Sequence, residues 1–291
     1  MKKLDFLLVG FCKSGTSSFD ALLRQDRRIL LSETKETQYI SNHSEMKMDN
    51  FWNIFYPNYK RNKCIGGIEP TYCFSARKVA EKFGRDIKLI FMMRNPVKAH
   101  YSQFKMRTRG EGNVKIDEIY RKYSADQLPQ MYEEYVRRFI KEDKAQIRDD
   151  FLYDRWIKEY LKYFKLEQMY FILFEDFIEN PQTVMDGVYK FLGLKPQKTG
   201  AIRQVNSDLG ISKDRISRLI NKRVSIWMKR WNHCTTIREA FLGLRNKCYK
   251  YTLILNDAPM SDKAEYMLSV HYRNTIQNME RLLKRDLSQI W

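Results

Sequence analysis

A lysine beside a run of small polar residues lies near the start of the chain, within LDFLLVGFCKSGTSSFDALL (residues 4–23). The polar neighbours that follow Lys13 are Ser14, Gly15, Thr16, Ser17 and Ser18. A lysine ammonium, backbone N–H groups and the positive end of a helix are the groups that bind phosphate oxygens. The stretch therefore predicts a phosphate-binding loop, and a plain strand-to-helix turn is the alternative that this loop alone leaves open.

A second candidate anion contact is Arg94, within LIFMMRNPVKAHYSQF. An arginine binds a phosphate through its planar fork of N–H donors. Asn95 and Pro96 are favoured residues at a helix N-cap and first turn, so a helix should begin there and continue through residue 105. Ser102, two turns into that helix, could reach the same oxygens. An arginine paired with a surface carboxylate is the alternative interpretation.

The elements that must position these residues form an alternating pattern of strands and helices. Short apolar runs predict strands at 4–9, 29–31, 63–68, 87–93 and 169–174. Helical patterns begin at residue 19 and cover 96–105, 120–144, 151–164 and 181–192, the last ending at the stop signal Gly193. In 151–164, the residues placed on one face are Trp156, Tyr160, Leu161 and Phe164. Alternation of this kind predicts a parallel α/β sheet, whose ligands bind at the carboxyl ends of the strands.

The bulk composition limits the class of protein. The 291 residues carry a net charge of +18, which favours polyanionic partners such as nucleotides, acidic glycans or anionic membrane. The five cysteines are odd in number and scattered, and the four histidines are scattered too, so we expect a reducing compartment and no metal site. No signal peptide, apolar span, repeat or linker is evident, which predicts one cytoplasmic domain over residues 1–291.

The order of residues in the first loop excludes one nucleotide motif and resembles another. A Walker A loop requires Gly, four residues and then Gly-Lys-Ser/Thr, whereas Lys13 precedes Gly15 here. The loop resembles instead the 5′-phosphosulfate loop of sulfotransferases that use 3′-phosphoadenosine 5′-phosphosulfate (PAPS). The spacing from Arg94 to Ser102 resembles the 3′-phosphate motif of the same family. Two motifs at the right separation are more specific than either alone.

Further segments resemble the carbohydrate branch of that family, the heparan-sulfate-type enzymes and their bacterial relatives. Lys35-Glu36 resembles their Lys-Glu motif, in which the glutamate is the catalytic base. Residues 65–72 resemble their Gly-Glu-Lys-x-Pro-x-Tyr segment, but Gly67 and Ile68 replace the usual Glu and Lys, and the acid is Glu69. Other segments that look like this branch are Tyr153 and residues 174–177, 205–207 and 285–288. The resemblance marks Lys35, Tyr72 and Tyr153 as candidate acceptor contacts.

The resemblance implies a single-domain, P-loop-like sulfotransferase fold, α/β with a central parallel sheet flanked by helices. PAPS is then the donor and 3′-phosphoadenosine 5′-phosphate (PAP) the product, with no metal. Glu36 takes the proton of the attacking hydroxyl, and Lys13 stabilises charge on the leaving phosphate. Backbone amides of residues 15–18 hold the 5′-phosphate, while Arg94 and Ser102 hold the 3′-phosphate. The expected acceptor is a saccharide, with phenols, small alcohols and tyrosyl peptides as alternatives.

The most basic segment, residues 203–250, has an open function. Its cations lie around Trp227 and Trp231. They could form a solvated helix face whose tryptophans enter the core, a groove for an acidic glycan, or an interfacial helix at anionic lipid. Single-stranded nucleic acid is not expected, because no nucleic-acid motif accompanies them. For the whole chain, two other classes stay open: a small-molecule kinase using Mg-ATP, and a non-catalytic basic protein that binds nucleic acid or anionic membrane.

Overall fold

The computed structural model describes residues 2–110, 118–141, 149–201, 210–230 and 235–291. Contacts between Cα atoms divide the chain into two compact units. The first unit comprises Met1–Asn95, Asp150–Val205 and Thr275–Trp291, and the second comprises Pro96–Asp149 and Asn206–Asn274. The expectation of a single domain stays a prediction.

The first unit is built on a parallel β-sheet. Its strands are β1 (Phe6–Gly10), β2 (Ile29–Leu31), β3 (Cys64–Ile68), β4 (Lys88–Met93) and β5 (Met169–Leu173). The order across the sheet is β2-β3-β1-β4-β5, and every neighbouring pair is parallel. In the second unit, two short strands pair antiparallel: β6 (Ile211–Ser212) and β7 (Leu253–Ile254).

Helices precede and follow these strands along the chain. In chain order they are α1 (Thr16–Leu23), α2 (Tyr39–Asn42), α3 (Met48–Phe55), α4 (Ala76–Phe83), α5 (Pro96–Thr108), α6 (Ile119–Lys122), α7 (Leu128–Lys141), α8 (Tyr153–Leu161), α9 (Phe174–Glu179), α10 (Pro181–Leu192), α11 (Arg215–Arg230), α12 (Thr235–Thr252) and α13 (Asp262–Leu283). Short 3₁₀ turns cover Pro70–Phe74, Ala125–Gln127 and Leu166–Gln168.

Both faces of the parallel sheet are covered, which explains why its strands are almost continuously apolar. One face packs against α1, α9 and α10 in a cluster that includes Leu8, Phe19 and Val188. On the other face, the ring of Phe91 meets that of Tyr160 from α8 edge to face, with 5.2 Å between centroids. The predicted α/β architecture with a central parallel sheet flanked by helices is confirmed.

Most predicted elements are confirmed within one or two residues, including β2 and the helix from Pro181 to Leu192. Asn180 caps that helix by accepting from the Thr183 N–H, and Gly193 ends it in the left-handed conformation. Elsewhere α1 begins at Thr16, α5 continues to Thr108, and Leu173 ends β5 before α9 starts.

Two expectations about helices are wrong. The helix predicted over 120–144 is interrupted after Lys122, and α7 begins only at Leu128. Ser124 forms a capping box with Gln127, and Pro129 is tolerated only in the first turn of a helix, so a new helix must start there. Leu161, placed on the buried face of 151–164, is 42% exposed because α8 ends at this residue.

Candidate active site

The carboxyl ends of the parallel strands bring the predicted residues to one edge of the sheet. The loop with Lys13 follows β1, and Glu36 follows β2. Glu69 directly follows β3, and Arg94 directly follows β4. Parallel strands place all their carboxyl ends at the same edge, where open α/β sheets bind ligands. This edge is therefore the candidate active site.

The loop after β1 turns sharply before α1. Lys13 has a φ of 64° and Gly15 a φ of 82°, both in the left-handed region. Gly15 is the N-cap of α1 and has no side chain with which to cap it, so the first N–H groups of the helix are directed at the loop. Such a turn at a helix N-terminus is a site for an anion.

Gly15 is required by contact as well as by conformation. A Cβ atom at this position would lie 2.6 Å from Cδ2 of Phe174. The Phe174 ring therefore packs directly against the backbone of the loop. The hydroxyl residues around it differ in exposure: Ser14, Thr16 and Ser18 are buried, and Ser17 is half-buried. The Ser14 hydroxyl donates to the Cys12 carbonyl at 3.4 Å.

Arg94 lies against this loop. Its Nη1 is 3.5 Å from the Lys13 carbonyl oxygen, and its guanidinium carbon is 4.7 Å from the centroid of the Phe174 ring. Arg94 is half-buried, and this burial lowers the pKa of its guanidinium, while the nearby Glu175 carboxylate raises it. The guanidinium keeps its charge, because an arginine is not deprotonated in proteins.

Arg94 is positioned by Tyr153, Glu175 and Trp291. The sequence does not mark these three residues as a group. The Tyr153 hydroxyl donates to the Arg94 carbonyl at 2.8 Å. The Glu175 carboxylate accepts from the Asn95 N–H at 3.0 Å and from Nε1 of Trp291 at 3.2 Å. Trp291 was not predicted, since its contact is 116 residues away along the chain. Tyr153 is completely buried, so it acts on the site through Arg94.

Glu36 lies in the loop after β2 with a φ of 60°. Its N–H donates to the Ile68 carbonyl at 3.1 Å, which ties the loop to the end of β3. The Lys35 ammonium forms an ion pair with the Glu36 carboxylate at 2.5 Å, and the Glu36 side chain is 35% exposed. The carboxylate is thus both oriented by a cation and accessible to a substrate.

Glu69 supports this loop through hydrogen bonds to Thr37 and Gln38, a role that the sequence did not reveal. It is 2% exposed, and one carboxylate oxygen accepts from both the N–H (2.5 Å) and the hydroxyl of Thr37. The other oxygen accepts from the Gln38 N–H at 3.3 Å. Burial raises the pKa of Glu69 to about 8, the hydrogen bonds from Thr37 limit the rise, and the negative charge of Glu36 adds to it.

The charges of the two loops meet around Cys12. Burial raises the pKa of the Cys12 thiol, the charges of Asp150 and Glu36 raise it further, and those of Lys35 and Lys13 lower it. The charges of the predicted base, Glu36, and of the predicted lysine, Lys13, therefore both affect the pKa of this one thiol. Asp150 is a charged residue of this site that sequence reasoning missed, because no motif surrounds it.

The remaining predicted residues take other positions. Tyr72 is 1% exposed, and its hydroxyl accepts from the Ile40 N–H at 3.0 Å, so it supports α2. Ser102 is half-buried on α5, in the second unit. Arg285 donates to both carboxylate oxygens of Asp176, joining two segments that the resemblance singled out. Residues 205–207 lie outside the described residues.

The described part of the chain holds neither a candidate metal cluster nor a membrane-spanning helix. Among residues 2–110, 118–141, 149–201, 210–230 and 235–291, no group of three or more His, Cys, Asp and Glu side chains is arranged to hold a metal ion. None of the helices described here is both long enough and apolar enough to span a bilayer.

Comparison with known protein families decides the class of this protein. The profile of the family described as "Sulfotransferase domain" matches residues 3–233, which is most of the chain. The chain belongs to the sulfotransferase family. Sulfuryl transfer is the chemistry of this family, and the matched residues include the loop with Lys13, the Lys35-Glu36 loop and Arg94. The family match gives no support to the kinase alternative.

One solved structure has the same fold as this chain. A sulfotransferase from Alicyclobacillus acidocaldarius matches over 99% of both chains, with 21% identity and a TM-score of 0.63. A mouse sulfotransferase complexed with PAP matches over 68% of this chain and 61% of that chain, with 15% identity and a TM-score of 0.39. No curated protein sequence gives a significant match.

Proposed function

We propose that this sulfotransferase moves the sulfuryl group of PAPS to a hydroxyl of a saccharide. The observation that carries the proposal is the contact between Arg94 and the loop with Lys13, which brings two candidate phosphate-binding residues to one place. The ion-paired Glu36 lies in the loop after β2. The charges of Glu36 and Lys13 both affect the pKa of the Cys12 thiol. Together these residues supply the anion site, the cation and the base that such a transfer needs.

The loop after β1 is suited to the 5′-phosphate of the donor. Its left-handed residues Lys13 and Gly15 turn the chain into α1, whose N-terminus is suited to an anion, and Gly15 leaves room where a Cβ would collide with Phe174. Lys13 lies in the same turn, where its ammonium can stabilise the charge that develops on the departing phosphate oxygen. The bond from sulfur to this oxygen breaks as the acceptor oxygen attacks sulfur.

Arg94 is suited to the 3′-phosphate of the donor. The assignment of Ser102 to the same phosphate rests on the family resemblance alone. Arg94 is half-buried, and its guanidinium contacts the Lys13 carbonyl oxygen. A guanidinium held in this way is pre-organised to bind a dianion. Arg94 thereby selects a 3′-phosphorylated nucleotide over ATP.

Glu36 is the proposed general base. An alcohol is a weak nucleophile at neutral pH, so a base must take its proton as the new bond forms. Glu36 is accessible enough to meet an acceptor, and Lys35 orients its carboxylate. The proton of the acceptor hydroxyl moves to the Glu36 carboxylate, and the sulfate ester and PAP are the products.

A saccharide acceptor is proposed because Lys35-Glu36 resembles the carbohydrate branch. Two of the three residues first considered for acceptor contact, Tyr72 and Tyr153, are buried and support neighbouring backbone. Lys35 is the one we retain. Saccharide acceptors are therefore to be screened beside phenols, small alcohols and tyrosyl peptides.

The donor is tested by thermal unfolding with PAP or with Mg-ATP. A ligand at about 100 times its dissociation constant stabilises a protein by about 2.7 kcal/mol, which shifts the midpoint measurably. We expect a shift with PAP. Arg94→Ala should weaken PAP binding by about 2–5 kcal/mol, the loss typical of a hydrogen-bonded charge.

The matched control is Arg77→Ala, whose side chain is 73% exposed on α4 in an ion pair with Glu81. It should bind PAP like the wild type. A shift with Mg-ATP alone would contradict the proposal. No shift with either ligand would leave only a non-catalytic binding role for this chain.

A further inference from the structure

Helix α11 of the second unit presents a row of large apolar side chains to solvent. Their exposed fractions lie between 41% and 70%. The residues are Ile216, Leu219, Ile220, Ile226 and Trp227. At 3.6 residues per turn they fall within an arc of about 120° on one side of the helix. We call this arc the apolar face of α11.

The opposite side of α11 is polar and buried, the reverse of an ordinary surface helix. Ser217, Arg218 and Asn221 are all less than 9% exposed. The Asn221 side chain donates to the Ser212 hydroxyl at 3.3 Å and accepts from the Thr252 hydroxyl at 2.9 Å. Because the buried Asn221 side chain is held by these two hydrogen bonds, the helix cannot rotate to bury its apolar face without losing them.

A close backbone contact holds α11 in the same orientation. Gly110, which has a φ of 88°, lies so near that a Cβ atom would be 2.6 Å from the Lys222 nitrogen and 2.7 Å from the Arg218 carbonyl oxygen. Only a glycine allows this approach, since both neighbours are backbone atoms. The exposure of the apolar face therefore follows from packing on the other side of the helix.

The charged residues of α11 itself are all basic. From residue 215 to residue 238 the sequence contains no Asp or Glu. Arg215 and Arg223 are exposed, and Arg223 lies within the apolar arc. A helix that combines exposed aliphatic residues, a tryptophan and arginines matches the composition of helices that lie in the interface of an anionic membrane.

We propose that the apolar face of α11 docks on an anionic lipid surface. The aliphatic side chains and Trp227 enter the boundary between headgroups and acyl chains, and Arg215 and Arg223 pair with lipid phosphates. A second copy of the chain is a poorer occupant, because a self-complementary contact would bring Arg223 of each copy into the same apolar interface. The proposal does not depend on the reaction that the first unit supports.

The test is flotation of the full chain with vesicles, followed by titration. We expect binding to vesicles of phosphatidylcholine mixed with phosphatidylglycerol, weaker binding at high salt, and little binding to phosphatidylcholine alone. Neutralising one cation at the surface, as in Arg223→Gln, should weaken binding about fivefold, the equivalent of about 1 kcal/mol per basic residue. The pair Ile220→Ser with Trp227→Ser should weaken it further, because apolar area no longer enters the interface.

Matched controls lie on the first part of α13, which belongs to the same unit. Tyr266 is 69% exposed and Arg273 is exposed, so Tyr266→Ser and Arg273→Gln remove one apolar and one cationic side chain outside α11. Both should bind vesicles like the wild type, and all variants should keep the wild-type unfolding midpoint.

Three results would overturn the proposal. The first is equal binding of the α11 variants and the α13 controls, and the second is no binding to anionic vesicles at all. The third is a concentration-dependent dimer, measured by sedimentation velocity, that Trp227→Ser abolishes. In that case the apolar face is an interface between copies of this chain.

Discussion

Thr37 donates two hydrogen bonds, from its N–H and its hydroxyl, to one oxygen of the buried Glu69 carboxylate. Thr37 directly follows Glu36, the proposed base, while Glu69 directly follows the neighbouring strand β3. The left-handed conformation of Glu36 is therefore held from both sides, by Ile68 through its own N–H and by Glu69 through the next residue. The position of the base depends on a carboxylate that does not itself reach solvent.

Glu36→Gln should reduce turnover by about 10²–10⁴-fold, the contribution of a general base. The amide has nearly the same shape but cannot accept the proton. Affinity for PAP, measured by calorimetric titration, should stay close to that of the wild type. Glu33→Gln is the matched control, because Glu33 is an exposed carboxylate of the same loop. Near-normal turnover of Glu36→Gln on a true acceptor would exclude Glu36 as the base.

Glu69 should make the stability of the protein depend on pH. Its pKa is about 8 in the folded state, above the ordinary 4.5, so between these values the folded state keeps a proton that the unfolded state has released. The free energy of unfolding then falls as pH rises through this window, by at most about 1.4 kcal/mol per pH unit. The stabilising effect of the proton is complete below pH 4.5 and lost above pH 8.

Urea denaturation at several pH values measures this dependence. Glu69→Gln removes the titrating group, so its free energy of unfolding should fall less steeply over the window than that of the wild type. Glu69→Gln also loses the contact to the Gln38 N–H, which lowers its free energy of unfolding by the same amount at every pH. Glu33→Gln should follow the wild-type curve, and parallel curves for Glu69→Gln and the wild type would refute the role of Glu69.

Gly15→Ala should abolish PAP binding and lower stability. The left-handed φ strains an alanine by about 1–2 kcal/mol, and the new methyl group also collides with the Phe174 ring. Gly193→Ala separates the two effects, because Gly193 has a φ of 80° and a Cβ atom there would meet nothing within 4 Å. It should lose only the conformational part in thermal unfolding and keep PAP binding. Equal effects of the two substitutions would mean that Phe174 does not restrict the loop.

Tyr153→Phe should weaken PAP binding through Arg94. The substitution removes the hydroxyl that donates to the Arg94 carbonyl, a buried hydrogen bond worth about 1 kcal/mol. Tyr160→Phe is matched to it: Tyr160 is equally buried on the same helix and donates to the Tyr72 carbonyl at 2.6 Å. Both variants should unfold at a lower temperature, but only Tyr153→Phe should show a higher dissociation constant for PAP. A similar loss of affinity in both would indicate a general effect on α8.

Much of the candidate site could be predicted because its signals are local. The apolar run before Lys13 and the one before Arg94 each end at a strand terminus, and parallel strands bring such termini to one edge. Asn180, Pro181 and Gly193 likewise set the ends of α10 by local backbone preference. The break after Lys122 is not predicted, although Pro129 signals it, because the helical periodicity on its two sides looks continuous.

The sequence by itself determined the parallel α/β architecture and the residues that follow its strands, since these depend on short-range patterns of polarity and on backbone preference. Only the tertiary structure decided what those residues contact. Glu69 holds the loop of Glu36, Glu175 and Trp291 hold the turn at Arg94, and α11 exposes its apolar side because Asn221 bonds to Ser212 and Thr252. Each of these contacts joins groups whose pairing depends on how distant segments pack, and no local pattern encodes that.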